Sequence, residues 1–204
     1  MQTVEQLNPD AFIPIPLDFV AISSPATDAL MGAIEVLPTL SLTDGPFIAG
    51  GAIVRALLGK TEVSDIDVFC CSSKQFADVI EFLGDKSEPD VNPQPPSMGG
   101  GDPSIVNFSI NGLKIQVIDA EVRAVPGSKP VDILLGFDIT AAMVATDGKN
   151  LLVNEAAAWA ISNRVIVLNK SSQRKAPLEV RPHLDNDEER VAKYTALLEV
   201  ASGS

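Results

Sequence analysis

Two aspartates, Asp65 and Asp67, have the residue type and spacing in this sequence best suited to chemistry. They open an apolar stretch that ends at Cys71, and this pattern predicts a buried strand. Because residues i and i+2 of a strand point to the same face, the two carboxylates are expected side by side. Close carboxylates repel each other, and a divalent cation such as Mg²⁺ or Mn²⁺, which prefers oxygen ligands, would relieve the repulsion. The pair therefore predicts a metal site.

A pair of glycines, Gly50 and Gly51, comes shortly before the aspartates in the sequence. The glycines follow a short apolar strand predicted at 46–49 and precede a short helix predicted at 52–58. Amide groups at the start of such a helix offer a place for phosphate. Arg55 is the nearest cation in the sequence and would neutralise phosphate charge. The glycine turn is therefore predicted to offer a place for phosphate.

The order strand, Gly50-Gly51, short helix, Asp65-Ile-Asp67 resembles the nucleotidyltransferase superfamily that includes DNA polymerase β. The sequence motif Gly-Gly-Ala…Val-Arg…Leu-Leu-Gly…Asp-Ile-Asp is most similar to that of the head domain of tRNA nucleotidyltransferases and poly(A) polymerases. The resemblance covers 46–71 and extends more weakly to about residue 120. It implies an α/β (α+β) fold, with a small mixed β-sheet and flanking helices. It also implies that the glycines approach a nucleoside triphosphate and that the two aspartates are catalytic and hold the metals.

The resembling family carries a third acidic residue, and this sequence departs from it there. The family's position aligns onto Gln116, which offers a neutral oxygen but no negative charge. Asp119 falls on the opposite face of a regular strand and would reach the metals only through a bulge or bend. Asp138 lies in a Phe-Asp…Asp-Gly pattern that resembles nucleotidyltransferase-like proteins of large phages and viruses. Asp138 is thus either a site residue or the cap of a turn.

The charge balance limits the partners of the protein. With 27 acidic and 15 basic residues among 204, the formal net charge is −12, which repels phosphate backbones. Basic residues concentrate only at 169–184, which is either an anion contact or a solvated linker; they are Lys170, Arg174, Lys175 and Arg181. We expect a free nucleoside triphosphate as the ligand. The acceptor stays open among an RNA end, a protein side chain and a second nucleotide, as do base preference and oligomeric state.

The cysteines and the start of the sequence indicate a compartment. Cys70 and Cys71 are neighbours on a predicted strand, so they point to opposite faces and are expected to be buried free thiols. A chain without a disulfide framework suits a reducing cytosol. The N-terminus lacks the pattern of a signal peptide, and no apolar stretch reaches membrane-spanning length. We therefore expect a soluble cytoplasmic protein with no membrane partner.

The chain is predicted to form one nucleotidyltransferase-like domain over 1–168, followed by a basic linker and a C-terminal helix over 169–204. The domain includes an N-terminal arm and a mobile loop at 85–104, which is rich in proline and glycine. The other predicted elements are capped helices at 25–37, 73–84 and 155–162, a hairpin at 105–119 turning at Asn111-Gly112, and strands ending at 146, 153 and 168.

The sequence thus predicts a metal-dependent nucleotidyltransferase, which moves a nucleoside monophosphate from a triphosphate to a hydroxyl acceptor. The alternative is a catalytically degenerate fold that acts as a binding or inhibitory protein or as a nucleotide sensor. Gln116 at the third acidic position and the acidic surface favour that alternative.

Overall fold

A seven-stranded mixed β-sheet forms the centre of the molecule. The computed structural model of the chain describes residues 7, 10–17, 23–86, 104–123, 129–167, 169 and 187–198. The strands are β1 (Phe12–Pro16), β2 (Phe47–Ala49), β3 (Ile66–Cys70), β4 (Ile105–Ile110), β5 (Leu113–Asp119), β6 (Val144–Thr146) and β7 (Asn150–Asn154). Their order across the sheet is β1-β7-β6-β2-β3-β5-β4. The strands pair antiparallel, except that β3 and β5 are parallel.

Seven α-helices of the described chain flank this sheet. They are α1 (Pro25–Val36), α2 (Gly51–Leu57), α3 (Ser73–Gly84), α4 (Ala120–Arg123), α5 (Pro130–Leu135), α6 (Glu155–Asn163) and α7 (Asp187–Leu198). A small mixed sheet with flanking helices confirms the predicted α/β (α+β) fold class. No helix in the described ranges has the length and apolar character needed to cross a membrane.

The sheet has two unlike faces. One face, which we call the helical face, carries Ile48, Val68 and Val117 and forms the main core. Apolar side chains of α1, α2, α3, α6 and α7 pack there, including Leu30, Ile53, Leu83, Ala157 and Leu198. Burial of such side chains is the dominant favourable contribution to folding.

The opposite face, which we call the open face, carries Asp67, Phe69 and Gln116. A smaller apolar cluster covers part of it, in which Ile133 and Leu134 of α5 pack with Phe47 of β2. The ring of Phe69 lies 5.7 Å from that of Phe47, between centroids, and 5.5 Å from that of Phe137. This apolar cluster borders the polar residues of the same face.

Local sequence signals explain several boundaries. The side chains of Ser24, Ser72 and Asn154 accept hydrogen bonds from backbone amides in the first turns of α1, α3 and α6, which confirms the three predicted caps. Asn111 and Gly112 have φ values of 53° and 75° and form the predicted two-residue hairpin turn between β4 and β5.

Other segments differ from the prediction. The strand expected at 164–168 is wrong for its described part, because 165–167 form no strand. Arg164 adopts a left-handed conformation with φ 55° that ends α6, and Val165 N then donates to Ala160 O. The stretch that leads to β6 is interrupted by a 3₁₀ turn at Thr140–Ala142. Within the predicted N-terminal arm, 12–16 form the edge strand β1.

Several predicted features lie outside the described residues. These are 87–103 of the expected loop at 85–104 and nearly all of the basic segment at 169–184. The division of the chain at residue 168 stays a prediction.

Candidate functional site

Strand β3 places Asp67 on the open face of the sheet. Its residues alternate between buried and half-buried, so that Ile66, Val68 and Cys70 face the main core while Asp67 and Phe69 face the other way. In the parallel pair β3–β5, Asp67 is in register with Gln116. Both side chains are half-buried. The position aligned with the family's third acidic residue therefore lies beside Asp67.

A third polar residue, Asn107, extends this row. Asn107 on β4 is in register with Gln116 on β5, and Gln116 Nε2 donates a hydrogen bond of 2.9 Å to Asn107 Oδ1. Because the amide nitrogen of Gln116 is used on the Asn107 side, its Oε1 is the atom available for another ligand. The open face thus presents carboxylate, amide and amide across three neighbouring strands.

The glycine turn lies next to Asp67. Gly50 has φ 87° and ψ −144°, a conformation that only glycine adopts readily, and Gly50 N donates to Val144 O of β6. A Cβ at Gly50 would lie 4.0 Å from Asp67 Oδ2 and 3.6 Å from the Phe137 ring. The missing side chain therefore leaves open space beside the carboxylate.

Asp65 comes just before β3 instead of opening it. Its side chain is exposed, whereas that of Asp67 is half-buried. The sharing of one metal by the two carboxylates stays a prediction. Among the described residues, no group of three or more His, Cys, Asp and Glu side chains is arranged to hold a metal ion.

Asp119 does not belong to this row. It is in register with Cys70 at the end of a regular β5, so it lies on the helical-face side of the sheet. Its buried carboxylate accepts from Ser73 Oγ at 2.8 Å and from Glu121 N at 3.0 Å. These bonds tie the start of α3 to the end of β5. Asp119 therefore has a structural role and does not replace the third acidic residue.

Asp138 remains a candidate. It is half-buried and directly follows Phe137, whose ring borders Gly50. Its backbone oxygen accepts from Asn169 N at 2.7 Å. A catalytic role for Asp138 stays a prediction.

Arg55 lies on the other side of the glycine turn. It belongs to α2, only 8% of it is exposed, and its Nε and Nη1 atoms are buried without a hydrogen-bond partner in the described part of the chain. A Cβ at Gly51 would lie 3.3 Å from Arg55 Nη1 and 3.6 Å from Tyr194 Oη. Sequence reasoning included Arg55 but missed Tyr194 as a neighbour of the turn.

Asn107 and Tyr194 were not identified as site residues from the sequence, and the sequence signals for the two residues differ. A two-residue turn at Asn111-Gly112 pairs Ile110 with Leu113, and counting back along the hairpin places Asn107 opposite Gln116. The position of Asn107 beside Gln116 could therefore have been inferred from the sequence. The position of Tyr194 could not, because Tyr194 reaches the turn only through the docking of α7 against the core.

Solved structures that resemble this chain include CCA-adding enzymes. The Thermotoga maritima CCA-adding enzyme complexed with tRNA superposes with a TM-score of 0.53 at 16% identity, covering 90% of this chain and 45% of the other. The Bacillus stearothermophilus CCA-adding enzyme in complex with CTP superposes with a TM-score of 0.50 at 16% identity, covering 83% of this chain and 38% of the other. An apo form of a CCA-adding enzyme superposes with a TM-score of 0.50 at 17% identity, covering 89% of this chain and 40% of the other.

The chain thus spans less than half the length of these enzymes. At such identities the likeness shows the fold alone, which is nucleotidyltransferase-like as the sequence predicted. No curated protein matches the sequence significantly. A family model described as "Gad2: Gabija anti-defense 2 family protein" matches residues 27–164, about two thirds of the sequence. The match takes in β2 to α6, including the glycine turn and the polar row, and the chain belongs to the Gad2 family.

Proposed function

We propose that this protein counters the Gabija defence and does so as a metal-dependent nucleotidyltransferase. The family description supports the first part. The second part is carried by one observation: the carboxylate of Asp67 lies beside the side-chain-free Gly50, in a fold shared with CCA-adding enzymes. An acid and a turn open to phosphate are the two components that this chemistry needs at one place.

The oxygen donors of the open face fit a hard divalent cation. Asp67 and Asp65 would supply carboxylate oxygens, and Gln116 would supply its amide Oε1. Mg²⁺ commonly binds through one or two protein carboxylates together with substrate phosphates, so three carboxylate ligands from the protein are not required. When bound, Mg²⁺ or Mn²⁺ would offset the negative charge that develops on the transferred phosphoryl group.

The chain's own residues would position the reactants. The attacking hydroxyl oxygen forms a bond to the α-phosphorus, the bond from that phosphorus to the bridging β-oxygen breaks, and pyrophosphate leaves as the hydroxyl proton passes to solvent. The absence of a Cβ at Gly50 and Gly51 lets phosphate oxygens approach the backbone closely. Arg55 would offset triphosphate charge, and the Asn107 hydrogen bond would hold the Gln116 amide in one orientation.

The net charge of the chain bears on the acceptor. One CCA-adding enzyme was solved with tRNA and another with CTP. A protein with a net charge of −12 is poorly suited to a long nucleic acid. We therefore favour a protein side chain or a small nucleotide over an RNA end as the acceptor.

A second candidate function is inhibition by binding alone. The observation that favours it is Gln116 beside Asp67, where the resembling family has an acid, together with the lack of a three-acid group among the described residues. In that case the protein would occupy a Gabija component without transferring a nucleotide.

One pair of variants separates the two functions. We expect the wild type to release pyrophosphate from nucleoside triphosphates only with Mg²⁺ or Mn²⁺, and Asp67→Asn to lower this rate at least about 100-fold, as loss of a metal ligand predicts. Asp78→Asn is the matched control, because Asp78 is exposed on α3 and pairs only with Lys74 in the described chain. Both variants are also scored for loss of Gabija protection in cells. If Asp67→Asn still removes protection, inhibition by binding is the correct function.

A further inference from the structure

The two outermost strands of the described sheet, β1 and β4, differ in the backbone groups that they present outward. Leu17 N donates to Lys149 O where the β1–β7 register continues, so every second residue of β1, counted back from Leu17, directs its N–H to β7. The positions between direct theirs away from the sheet, and two of these positions are Pro14 and Pro16, which have no N–H. The β1 edge therefore offers few donors to a further strand.

Strand β4 has donors and acceptors that face outward. The two-residue turn makes Ile110 and Leu113 a hydrogen-bonded pair, and hydrogen-bonded pairs then alternate along the hairpin. The residues between them point their backbone N–H and C=O groups away from β5; they are Ile105, Asn107 and Ser109. In the described part of the chain, β4 is the last strand on its side of the sheet.

The sequence of β4 leaves this edge unprotected. Natural sheets guard exposed edges with proline, charged side chains or bulges, but β4 contains no proline and no charged residue, and it pairs with β5 without a bulge. Val106 is half-buried and, among the described residues, belongs to neither apolar cluster. Such an edge is suited to pairing with a strand of another molecule.

The charge distribution indicates which molecule fits this edge. Residues 104–118 contain one charged side chain, Lys114, and no acid, although the net charge of the chain is −12. Two copies of the chain repel each other across their acidic surfaces, and this repulsion is weakest where the two β4–β5 hairpins meet. A basic partner would gain no attraction at this hairpin. A second copy is therefore the occupant that the charges favour.

We propose that two copies of this chain pair β4 with β4, antiparallel, about a two-fold axis at Asn107, so that their sheets become continuous. Asn107 then lies opposite Asn107 of the other copy, and Ile105 lies opposite Ser109 in both directions. This register pairs all three outward-facing residues of β4, and it supplies about six backbone hydrogen bonds, because each such pair exchanges two. The same strand serves both copies, as in other two-fold interfaces.

The side chains on both faces of β4 suit this pairing. On the helical face, Val106 of each copy lies opposite Phe108 of the other, and such pairs of a β-branched and an aromatic side chain stabilise sheets. On the open face, Asn107 Oδ1 accepts from Gln116, so Asn107 Nδ2 is the atom available to Asn107 of the other copy. The second copy thus extends the polar row that begins at Asp67.

Sedimentation velocity of the full chain tests this interface without nucleotide, so the outcome does not depend on transfer activity. We expect the wild type to form a dimer in a micromolar concentration series. Val106→Lys removes two apolar cross-strand pairs and should weaken dimerisation at least about tenfold. Ile13→Lys is the matched control, because it places the same side chain on the β1 edge, where Ile13 is 55% exposed. A monomeric wild type, or equal dimerisation of the two variants, would overturn the inference.

A second pair of variants addresses the backbone directly. Ser109→Pro removes an outward N–H while keeping the bonds of the hairpin, and should weaken dimerisation at least about tenfold, because the dimer loses two hydrogen bonds. Ser109→Ala keeps the N–H and should dimerise like the wild type. Thermal melts establish that each variant is folded. A folded Ser109→Pro that dimerises as well as Ser109→Ala would place the interface elsewhere and contradict the proposal.

The register has its own test, because only residues on the two-fold axis meet their own copies. Paired Asn107 residues would have Cα atoms about 5.5 Å apart, within the reach of a disulfide. Asn107→Cys should therefore form an intermolecular disulfide under mild oxidation, since Cys70 and Cys71 are buried. Ser109→Cys should not, because its two copies would lie about 14 Å apart along the strands. Cross-linking of Ser109→Cys as fast as Asn107→Cys would overturn the proposed pairing.

Discussion

The two faces of β3 show how one strand serves both folding and the candidate site. On the helical face Ile66, Val68 and Cys70 are at most 1% exposed and contact side chains from the flanking helices. On the open face Asp67 and Phe69 are only half-buried, although they alternate with those residues along the same strand. The helical face stabilises the fold, and the open face keeps polar side chains accessible. Substitutions on the two faces should therefore affect different properties.

The largest expected effect on stability belongs to the helical face. Leu30 of α1 is fully buried in the main core, so Leu30→Ala should lower the free energy of unfolding by about 2–5 kcal/mol. Ile13 on the edge strand β1 is 55% exposed, and Ile13→Ala should change the free energy of unfolding by less than about 0.5 kcal/mol. Urea denaturation of both variants measures the difference. Similar losses in the two variants would mean that the edge strand contributes as much as the core.

A smaller effect is expected at the turn between β2 and α2, which borders both Asp67 and Arg55. Gly50 has φ 87° and ψ −144°, and forcing alanine into this glycine conformation should cost about 1–3 kcal/mol of unfolding free energy. Gly84→Ala is the matched control, because nothing lies within 4 Å of its Cβ position at the end of α3. That variant should be neutral or slightly stabilising. A neutral Gly50→Ala in the same thermal melts would show that the turn relaxes easily.

The helical face was largely predictable from the sequence, because its signals are local. Serine and asparagine caps, the Asn111-Gly112 turn and the alternation along β3 each depend on a few neighbouring residues. The incorrect strand at 164–168 arose where an apolar run followed a helix end. There the left-handed Arg164 redirects the chain, and the sequence carries no glycine to mark the change.

The candidate site was only partly predictable, because it combines local and distant contacts. The adjacency of Asp67 and Gln116 requires the parallel pairing of β3 with β5, two strands separated by α3 and β4. The approach of Tyr194 to Gly51 requires α7 to return to the core from the end of the chain. Neither contact follows from residue spacing. The burial of Arg55 Nε and Nη1 without a hydrogen-bond partner among the described residues likewise depends on how the helices pack.

A substitution of Gln116 can add negative charge to the open face beside Asp67. Gln116→Glu places a carboxylate in register with Asp67 and should tighten Mg²⁺ binding, measured with nucleotide present, by about tenfold, or about 1.4 kcal/mol. Asn163→Asp is the control, because it adds one negative charge at the exposed end of α6. Calorimetric titration compares the three proteins. An unchanged affinity would mean that Gln116 does not face the metal, and Asp138 would become the better candidate for a third ligand.

The smallest effect is expected for two adjacent thiols, Cys70 and Cys71, which belong to opposite faces of the sheet. Cys70 is packed in the main core and Cys71 in the smaller cluster of the open face, and both are free. Burial, followed by the nearby charge of Asp119, raises the pKa of Cys70 from 9.0 to about 12. Burial, followed by the charge of Asp44, raises the pKa of Cys71 from 9.0 to about 11.

These raised pKa values favour the neutral thiols in the folded state. Their contribution to stability is therefore complete below pH 9 and is lost as the pH rises toward 11 and 12. At pH 8, iodoacetamide should modify Cys71 in Cys70→Ala about tenfold faster than Cys70 in Cys71→Ala, since one pKa unit changes the thiolate fraction tenfold. Equal rates in urea provide the control for intrinsic reactivity. If Cys70 reacts faster in the folded protein, the helical face opens more readily than the open face, and the contrast between the two faces fails.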